Sequence, residues 1–298
     1  MKLTYQEYKK RGKHGIGSSD AAAILGLTEH PTAVDVYLRL LNGRTYEDNM
    51  FTRMGRAVEP VILQELMEST KTTLLIEDSI YLHDKYDYLV ARPDALSADR
   101  YVEAKMTTHA EAWGDDGTDM VPDYVFAQVQ HGMEVVGMDY AVIPVFIMTR
   151  WAMEFRVYNV AKSKIIVPQM IEAERDFYEN HVLTFTPPEA RNLKDIGKIF
   201  PHSEAKEIAA SEEVFDAVKR LAEVKAEIKD LEKQKDLVEL EVKTFMKDAD
   251  TLRYLNKTIA TWKSNTVNRI DVTRFRQEMP DIAKEFTKQS EERRFLVK

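Results

Sequence analysis

Two short β-strand patterns that meet at a turn constrain the fold of this chain more than any other feature. Residues 86–96 and 100–106 both read as strands, and the turn that joins them reads SADR. In such a hairpin the end of the first strand lies beside the second strand, and alternate side chains share a face. We therefore expect Glu103 and Lys105 on one face, with Asp94 close to Glu103.

These three side chains are typical of a metal-dependent phosphodiesterase. Two carboxylates that approach each other repel unless a cation neutralises them, and Mg²⁺ is the natural partner, although Mn²⁺ also suits oxygen ligands. A bound cation activates water and offsets charge on the attacked phosphate. Lys105 would orient or deprotonate that water, or stabilise the developing charge. The alternative is a turn aspartate, Asp94, followed by a surface pair of Glu103 and Lys105, because the pattern is short.

Polar residues on three predicted helices extend the candidate site. Glu59 lies in GRAVEP upstream of the hairpin, and Gln128 lies in AQVQHGM downstream of it. Ser18 and Ser19 lie in GIGSSDAAAILG, where either would cap a helix whose backbone amides favour an anion. Each of these residues is also compatible with an ordinary position on a helix.

The chain divides into three predicted parts. Residues 1–200 contain the strands above and a second hairpin, over 139–149 and 151–160, with helical patterns on both sides. This arrangement predicts an α/β (α+β) core with a central mixed sheet flanked by helices. A long charged helix over 204–247 and a small C-terminal module over 248–298 follow.

The long helix carries a heptad repeat in which nine of the ten core positions are apolar. Its a positions are Val214, Leu221, Ile228, Lys235 and Val242. Its d positions are Ala217, Val224, Leu231, Val238 and Phe245. Two partners remain open for this seam, another helix of the same chain or a coiled coil with another chain.

Charge and cysteine content exclude several classes of protein. The net charge of −8 argues against a protein that coats nucleic acid, but a nuclease with an acidic metal site is compatible with it. The absence of cysteine excludes disulfides, iron–sulfur clusters and thiolate zinc sites. The sequence shows neither a secretory signal nor an apolar run of membrane-spanning length, which favours the cytoplasm.

Four motifs follow one another in a specific order: GIGSSDAAAILG, GRAVEP, RPD-x8-EAK and AQVQHGM. This order resembles the YqaJ-type viral recombinase family, whose members are relatives of phage lambda exonuclease among the PD-(D/E)xK nucleases. The resemblance covers roughly residues 11–150, and IATWKS and RRFLVK near the C-terminus also look like family features. It implies a restriction-endonuclease-like core, to which this chain adds the heptad helix and the C-terminal module.

The resemblance implies a Mg²⁺-dependent exonuclease of the two-metal type. Such an enzyme degrades one strand of linear double-stranded DNA in the 5′→3′ direction, starting at a 5′-phosphate end, and leaves a 3′ overhang for a single-strand annealing protein. The resemblance also implies a homo-oligomer, with a ring-shaped trimer as the expected form. The expected setting is a bacterial cytoplasm, with an origin in a phage or prophage.

Site residues carry over from the family by position. The metal ligands would be Asp94, Glu103, the backbone carbonyl of Ala104 and, at or near the metal, Glu59. Lys105 would be the catalytic lysine and Gln128 the active-site glutamine.

A second group would bind the DNA backbone. Ser19, with Ser18 beside it, would match the serine that contacts the 5′ or scissile phosphate. Arg11 would match an upstream phosphate-binding arginine, and Lys13 competes for this assignment because the spacing is loose.

Two other functions remain open. A restriction-type endonuclease can use the same core, whereas Cas4-like enzymes are excluded because they need cysteines for a cluster. A non-catalytic DNA-recombination interaction protein would use the heptad helix as its working part.

Overall fold

The computed structural model describes residues 1–12, 14–43, 49–76, 78–150, 152–289 and 291–297. The chain forms two compact units, Met1–Phe200 and Pro201–Lys298, called here the core unit and the C-terminal unit. Within the described ranges, no helix is both long and apolar enough to cross a membrane.

The first sheet of the core unit has four strands in the order β1-β3-β4-β2. Neighbouring strands are antiparallel, except that β2 runs parallel to β4. Its strands are β1 (Lys2–Thr4), β2 (Ile16–Gly17), β3 (Ser79–Leu82) and β4 (Leu89–Ala91).

The second sheet is built around one long central strand, β8. The antiparallel strand β9 pairs along the whole of β8, which confirms the predicted second hairpin. The short strands β6 and β7 pair with β8 in parallel, one after the other, and β5 is antiparallel to β6. The strands are β5 (Ala95–Leu96), β6 (Arg100–Val102), β7 (Lys105–Thr107), β8 (Tyr140–Met148) and β9 (Met153–Ala161).

The predicted continuous strand over 86–96 is wrong, because β4 and β5 belong to different sheets. The chain leaves the first sheet after Ala91 and enters the second at Ala95. Pro93 has no backbone N–H for a sheet ladder, which suits an interruption at this point. The hairpin between β5 and β6 is present, with Ser97 N donating to Arg100 O across its turn at 3.0 Å.

Seven α-helices are described in the core unit, and their ends follow the capping signals of the sequence. Thr32 caps α3 by accepting a hydrogen bond from Asp35 N, and Gly43 ends it in the left-handed region. Pro122 precedes α5, and Gly137 ends it. The helices are α1 (Tyr5–Lys10), α2 (Ser18–Ile24), α3 (Ala33–Asn42), α4 (Met50–Thr70), α5 (Asp123–Val136), α6 (Ile166–Phe177) and α7 (Leu193–Ile199).

Helices cover both faces of the second sheet. On one face, Val129 and Met133 of α5 pack against Tyr101. On the other, Leu66 of α4 packs against Val102. Because successive side chains of β6 alternate between these faces, its odd-numbered residue, Tyr101, points toward α5. The predicted α/β class, with mixed sheets flanked by helices, is confirmed.

The C-terminal unit consists of one long helix and a small module. The helix α8 begins eight residues later than predicted, because Ser211 caps it by accepting a hydrogen bond from Val214 N. The module has a two-stranded antiparallel ribbon and two short helices. Its elements, after α8 (Glu212–Met246), are β10 (Thr251–Tyr254), β11 (Lys257–Thr261), α9 (Val272–Glu278) and α10 (Pro280–Glu285).

Candidate active site

Asp94 lies where the chain passes from the first sheet to the second. The next residue, Ala95, pairs with Val102, so the antiparallel register brings Asp94 beside residues 103 and 104. The backbone N–H of Ala104 donates to Asp94 Oδ2 at 2.8 Å. The hairpin therefore holds Asp94 next to Glu103, as the sequence pattern predicts.

Glu103 lies at a break between two strands. β6 ends at Val102 and β7 begins at Lys105, yet Glu103 N still donates to Val142 O of β8 at 3.1 Å. The backbone is thus anchored on both sides of the break. The Glu103 side chain points toward α5, on the same face as Tyr101 and Lys105.

Three donors hold the Glu103 carboxylate, which is only 5% exposed. Lys105 Nζ donates to Glu103 Oε1 at 2.8 Å, and Gln128 Nε2 donates to the same oxygen at 2.5 Å. Tyr101 donates its hydroxyl to Glu103 Oε2 at 3.0 Å. Gln128 Oε1 in turn accepts from Lys105 Nζ at 2.9 Å. Lys105, Gln128 and the Glu103 carboxylate are therefore hydrogen-bonded in a closed triangle.

The surroundings of Asp94 favour its protonated form. Burial raises the pKa of Asp94 to about 8, with further contributions from the negative charges of Glu103 and Glu59. Lys105 and the Ala104 N–H act in the opposite direction but do not compensate. A further positive charge beside Asp94, in addition to that of Lys105, would lower this pKa and favour the ionised carboxylate.

Glu59, on α4, belongs to the same electrostatic neighbourhood. Burial raises its pKa, Arg92 opposes that rise, and Glu103 adds to it. Glu59 and Asp94 line a cavity of about 410 Å³ together with Arg56 and Arg92. This cavity gives the acidic groups access to solvent and sets two guanidinium groups at the same opening.

Lys105 carries its positive charge at neutral pH. Burial lowers its pKa, but the charge and hydrogen bond of Glu103 outweigh that effect, and the pKa is raised overall. Lys105 is therefore a hydrogen-bond donor and a source of positive charge in this state, rather than a base.

The donor set fits a hard divalent cation by its chemistry. Asp94 and Glu59 both have raised pKa values to which Glu103 contributes, which is the repulsion that a cation removes. The side chains are not already gathered around one point: across the part of the chain that the structure describes, no group of three His, Asp or Glu residues is placed to hold a metal ion. Glu103 would exchange some of its present donors for the cation.

The predicted phosphate-binding residues lie apart from this cluster or at its edge. Gly17 rather than a serine is the N-cap of α2, since Asp20 Oδ2 accepts from Gly17 N at 2.7 Å. Ser18 is buried and lies near the Tyr101 hydroxyl, whereas Ser19 is exposed. Arg11 pairs with Asp87 beside the first sheet.

The arginine site has its own small cleft. Arg11 shares it with three tyrosines and a histidine: Tyr8, Tyr88, Tyr178 and His14. Its predicted competitor, Lys13, falls outside the described residues.

Tyr101 was not predicted as part of the site. It is fully buried, and burial, together with the charges of Glu103 and Asp94, raises its pKa well above its usual range. The hydroxyl therefore stays protonated and donates a hydrogen bond to Glu103. The sequence carries one signal for this role of Tyr101. Tyr101, Glu103 and Lys105 are spaced two residues apart, so strand alternation places all three on one face.

Residues 7–139 match the family model described as the YqaJ-like viral recombinase domain. This range contains every predicted site residue, and the resemblance inferred from the motifs is confirmed over it. Uncharacterized protein YqaJ of Bacillus subtilis (strain 168) is 23% identical over 309 residues, which cover 99% of this chain and 95% of that protein.

Two solved structures are also similar to the chain. An alkaline exonuclease, LHK-Exo, from Laribacter hongkongensis has 14% sequence identity and a TM-score of 0.48, over 60% of this chain and 95% of the exonuclease. A phage-related exonuclease from Haemophilus somnus 129PT has 10% identity and a TM-score of 0.43, over 60% of this chain and 99% of that one.

Proposed function

We propose that this protein is a divalent-metal-dependent DNA exonuclease. It degrades one strand of linear double-stranded DNA in the 5′→3′ direction and leaves 3′ overhangs for single-strand annealing. The observation that carries the proposal is the cluster at the strand break, where Glu103 binds both Lys105 and Gln128 while Asp94 lies beside it. The match to a viral recombinase domain supports a role in DNA recombination.

The acidic groups would hold Mg²⁺, or Mn²⁺ in its place. Asp94, Glu103 and the backbone carbonyl of Ala104 are the proposed ligands, with Glu59 at or near the same position. A cation held by these groups would supply an activated water and would offset charge on the phosphate. Gln128 fixes the orientation of Glu103 from α5, so that the carboxylate is presented in one direction.

Lys105 supplies positive charge next to the phosphate that is cleaved. Its raised pKa keeps the ammonium group charged, so it stabilises negative charge that develops during attack and orients the water by hydrogen bonding. The contact with Gln128 keeps the lysine directed at the site when Glu103 exchanges one of its donors for a cation.

The DNA end would be bound at the edge of this cluster. Ser19, exposed in the first turn of α2, is proposed to bind the 5′ or scissile phosphate, with Ser18 beneath it. Arg11, or its competitor Lys13, is proposed to bind a backbone phosphate of the DNA. Arg56 and Arg92 add positive charge at the mouth of the cavity that Asp94 lines.

A single-strand annealing protein is the proposed partner, because the 3′ overhang is its substrate. The core units are proposed to assemble as a trimer around DNA. The proposed location is the bacterial cytoplasm, in a phage or prophage context.

Digestion of end-labelled duplexes tests the proposal. Linear DNA labelled at either the 5′ or the 3′ end, with 5′-phosphate or 5′-hydroxyl termini, is incubated with Mg²⁺ or with EDTA. We expect early release of the 5′ label, a preference for the 5′-phosphate, and no reaction in EDTA. A covalently closed circle serves as the control, since an exonuclease leaves it intact. Cleavage of the circle would instead indicate an endonuclease with the same core.

A further inference from the structure

The long helix α8 carries an exposed apolar seam. Six of the predicted core positions have between 48% and 75% of their surface exposed, although a heptad repeat predicts that they are covered. These residues are Val214, Val224, Ile228, Leu231, Val238 and Phe245. An apolar row of this length, on a helix of 35 residues, is a surface for another helix.

The described part of the C-terminal unit offers no helix of matching length. Its other helices, α9 and α10, have seven and six residues. The C-terminal tail approaches α8 through Phe295, whose ring centroid lies 5.7 Å from Lys225 Nζ. Phe295 is itself exposed and leaves the seam open. A second copy of α8 has the required length and the same repeat.

The charged residues beside the seam disfavour a parallel pair of these helices. In a parallel coiled coil, a residue at g faces the residue at e five positions later in the other helix. Arg220 would then face Lys225 of the second copy, and Glu227 would face Glu232. Both contacts place like charges together, on each side of a symmetric dimer.

An antiparallel pair changes the sign of these contacts. In this orientation, residues at e face e of the other helix, and residues at g face g. One register pairs the core positions so that the two residue numbers of each pair sum to 459. Lys225 faces Glu232 of the second copy, and Arg220 faces Glu241. Each attractive contact occurs twice because of the twofold symmetry.

The same register aligns the whole seam. Each a position meets a d position of the second copy, and the two helices overlap along nearly their full length. The pairs are Val214 with Phe245, Leu221 with Val238, Ile228 with Leu231, Lys235 with Val224, and Val242 with Ala217. The one polar member, Lys235, is the kind of core residue that specifies register at some cost in stability.

We propose that α8 is a self-association surface, on which a second copy of this chain binds as a symmetric antiparallel coiled coil centred between Lys229 and Asp230. This coiled coil joins two chains, whatever oligomer the core units form by themselves. It is independent of the nuclease proposal, because its tests use neither DNA nor metal.

The mass of the full chain in solution gives the first test. Leu231→Glu places a charge in the seam, and Leu240→Glu places the same charge on the opposite side of the helix. The two leucines are similarly exposed, at 61% and 62%, so the two changes disturb the packing of the folded chain to a similar, small extent. By light scattering, we expect Leu231→Glu to halve the molar mass of the assembly and Leu240→Glu to leave it unchanged. Equal masses for wild type and both variants would overturn the proposal.

Charge reversal distinguishes the two orientations. Lys225→Glu opposes Glu232 in the antiparallel pair and weakens association, whereas in a parallel pair it would face Arg220 and strengthen association. The double variant Lys225→Glu with Glu232→Lys restores the attraction in the antiparallel pair. Stronger association of the single variant would refute the proposed orientation.

Cross-linking tests the register, since the chain has no natural cysteine. Val214→Cys and Phe245→Cys are prepared as separate full-length proteins and oxidised either alone or after mixing. A disulfide-linked dimer is expected only in the mixture, because position 214 meets position 245 of the other copy. Cross-linking of Phe245→Cys with itself would indicate a parallel pair.

Discussion

Tyr101 donates its hydroxyl to Glu103 Oε2 at 3.0 Å, from a position that is fully buried under α5. The carboxylate therefore has one oxygen held by the protein interior and the other held by Lys105 and Gln128. A side chain bound on both oxygens has little rotational freedom. This preorganisation lets Glu103 meet a cation from a fixed direction.

Tyr101→Phe removes one of three donors to Glu103. We expect the free energy of unfolding to fall by about 1 kcal/mol, because two donors remain, and we expect slower exonuclease turnover. Tyr158→Phe is the matched control, since Tyr158 is equally buried and donates its hydroxyl to Gly114 O at 2.7 Å. Its stability should fall by a similar amount without a change in turnover. Equal effects of both variants on turnover would remove Tyr101 from the site.

Sequence alone predicts the parts of the site that depend on strand alternation and helix capping. The spacing of Glu103 and Lys105 puts them on one face, and Pro122 and Gly137 define the helix that carries Gln128. These features need only neighbours in sequence, so they are visible without a structure.

Other features depend on contacts between distant segments. The strand pattern before Asp94 looks continuous because local sequence does not reveal which sheet a strand joins, and only the structure separates β4 from β5. The role of Tyr101 likewise depends on space beneath α5. Glu59 reaches the acidic group only because α4 packs on the other face of the sheet.

Lys105→Ala tests the charge at the cluster. Loss of a preorganised donor to a developing negative charge should lower turnover by about 10²- to 10³-fold, while binding of DNA ends is retained. Lys162→Ala is a suitable control, because both lysine side chains are 23% exposed and ion-paired, and Lys162 pairs with Glu134 and Asp139 instead. Single-turnover digestion and a binding assay in Ca²⁺ separate the two effects. Normal cleavage by Lys105→Ala would exclude it from the mechanism.

Asp94 should make the stability of the metal-free protein depend on pH. An unfolded chain releases the Asp94 proton near the ordinary value of 3.8, whereas the folded chain holds it to about 8. Between these values the unfolded state binds fewer protons, so the free energy of unfolding decreases as the pH rises through this window. Denaturant midpoints in EDTA, measured at several pH values, should show this slope.

Asp94→Asn should flatten that slope because the group no longer titrates. Asp78→Asn, which changes a largely exposed acid on the same cavity, should retain it. Added Mg²⁺ should stabilise the wild-type protein more at higher pH, because the cation competes with the proton for Asp94. A slope that is identical in wild type and Asp94→Asn would contradict the assignment.

Gly132 provides the space in which the Tyr101 ring lies. A Cβ added at Gly132 of α5 would come within 2.5 Å of Tyr101 Cζ, and the buried ring has no room to withdraw. Gly132→Ala is therefore expected to lower the free energy of unfolding by about 1–3 kcal/mol and to reduce turnover by displacing the hydroxyl from Glu103. Gly55→Ala, in the second turn of α4 with open space around it, should instead stabilise the chain by about 0.5–1 kcal/mol, since alanine is the better helix former. Thermal unfolding and exonuclease assays on both variants check the difference. If Gly132→Ala were as stable and as active as Gly55→Ala, close packing of α5 on Tyr101 would not be what positions Glu103.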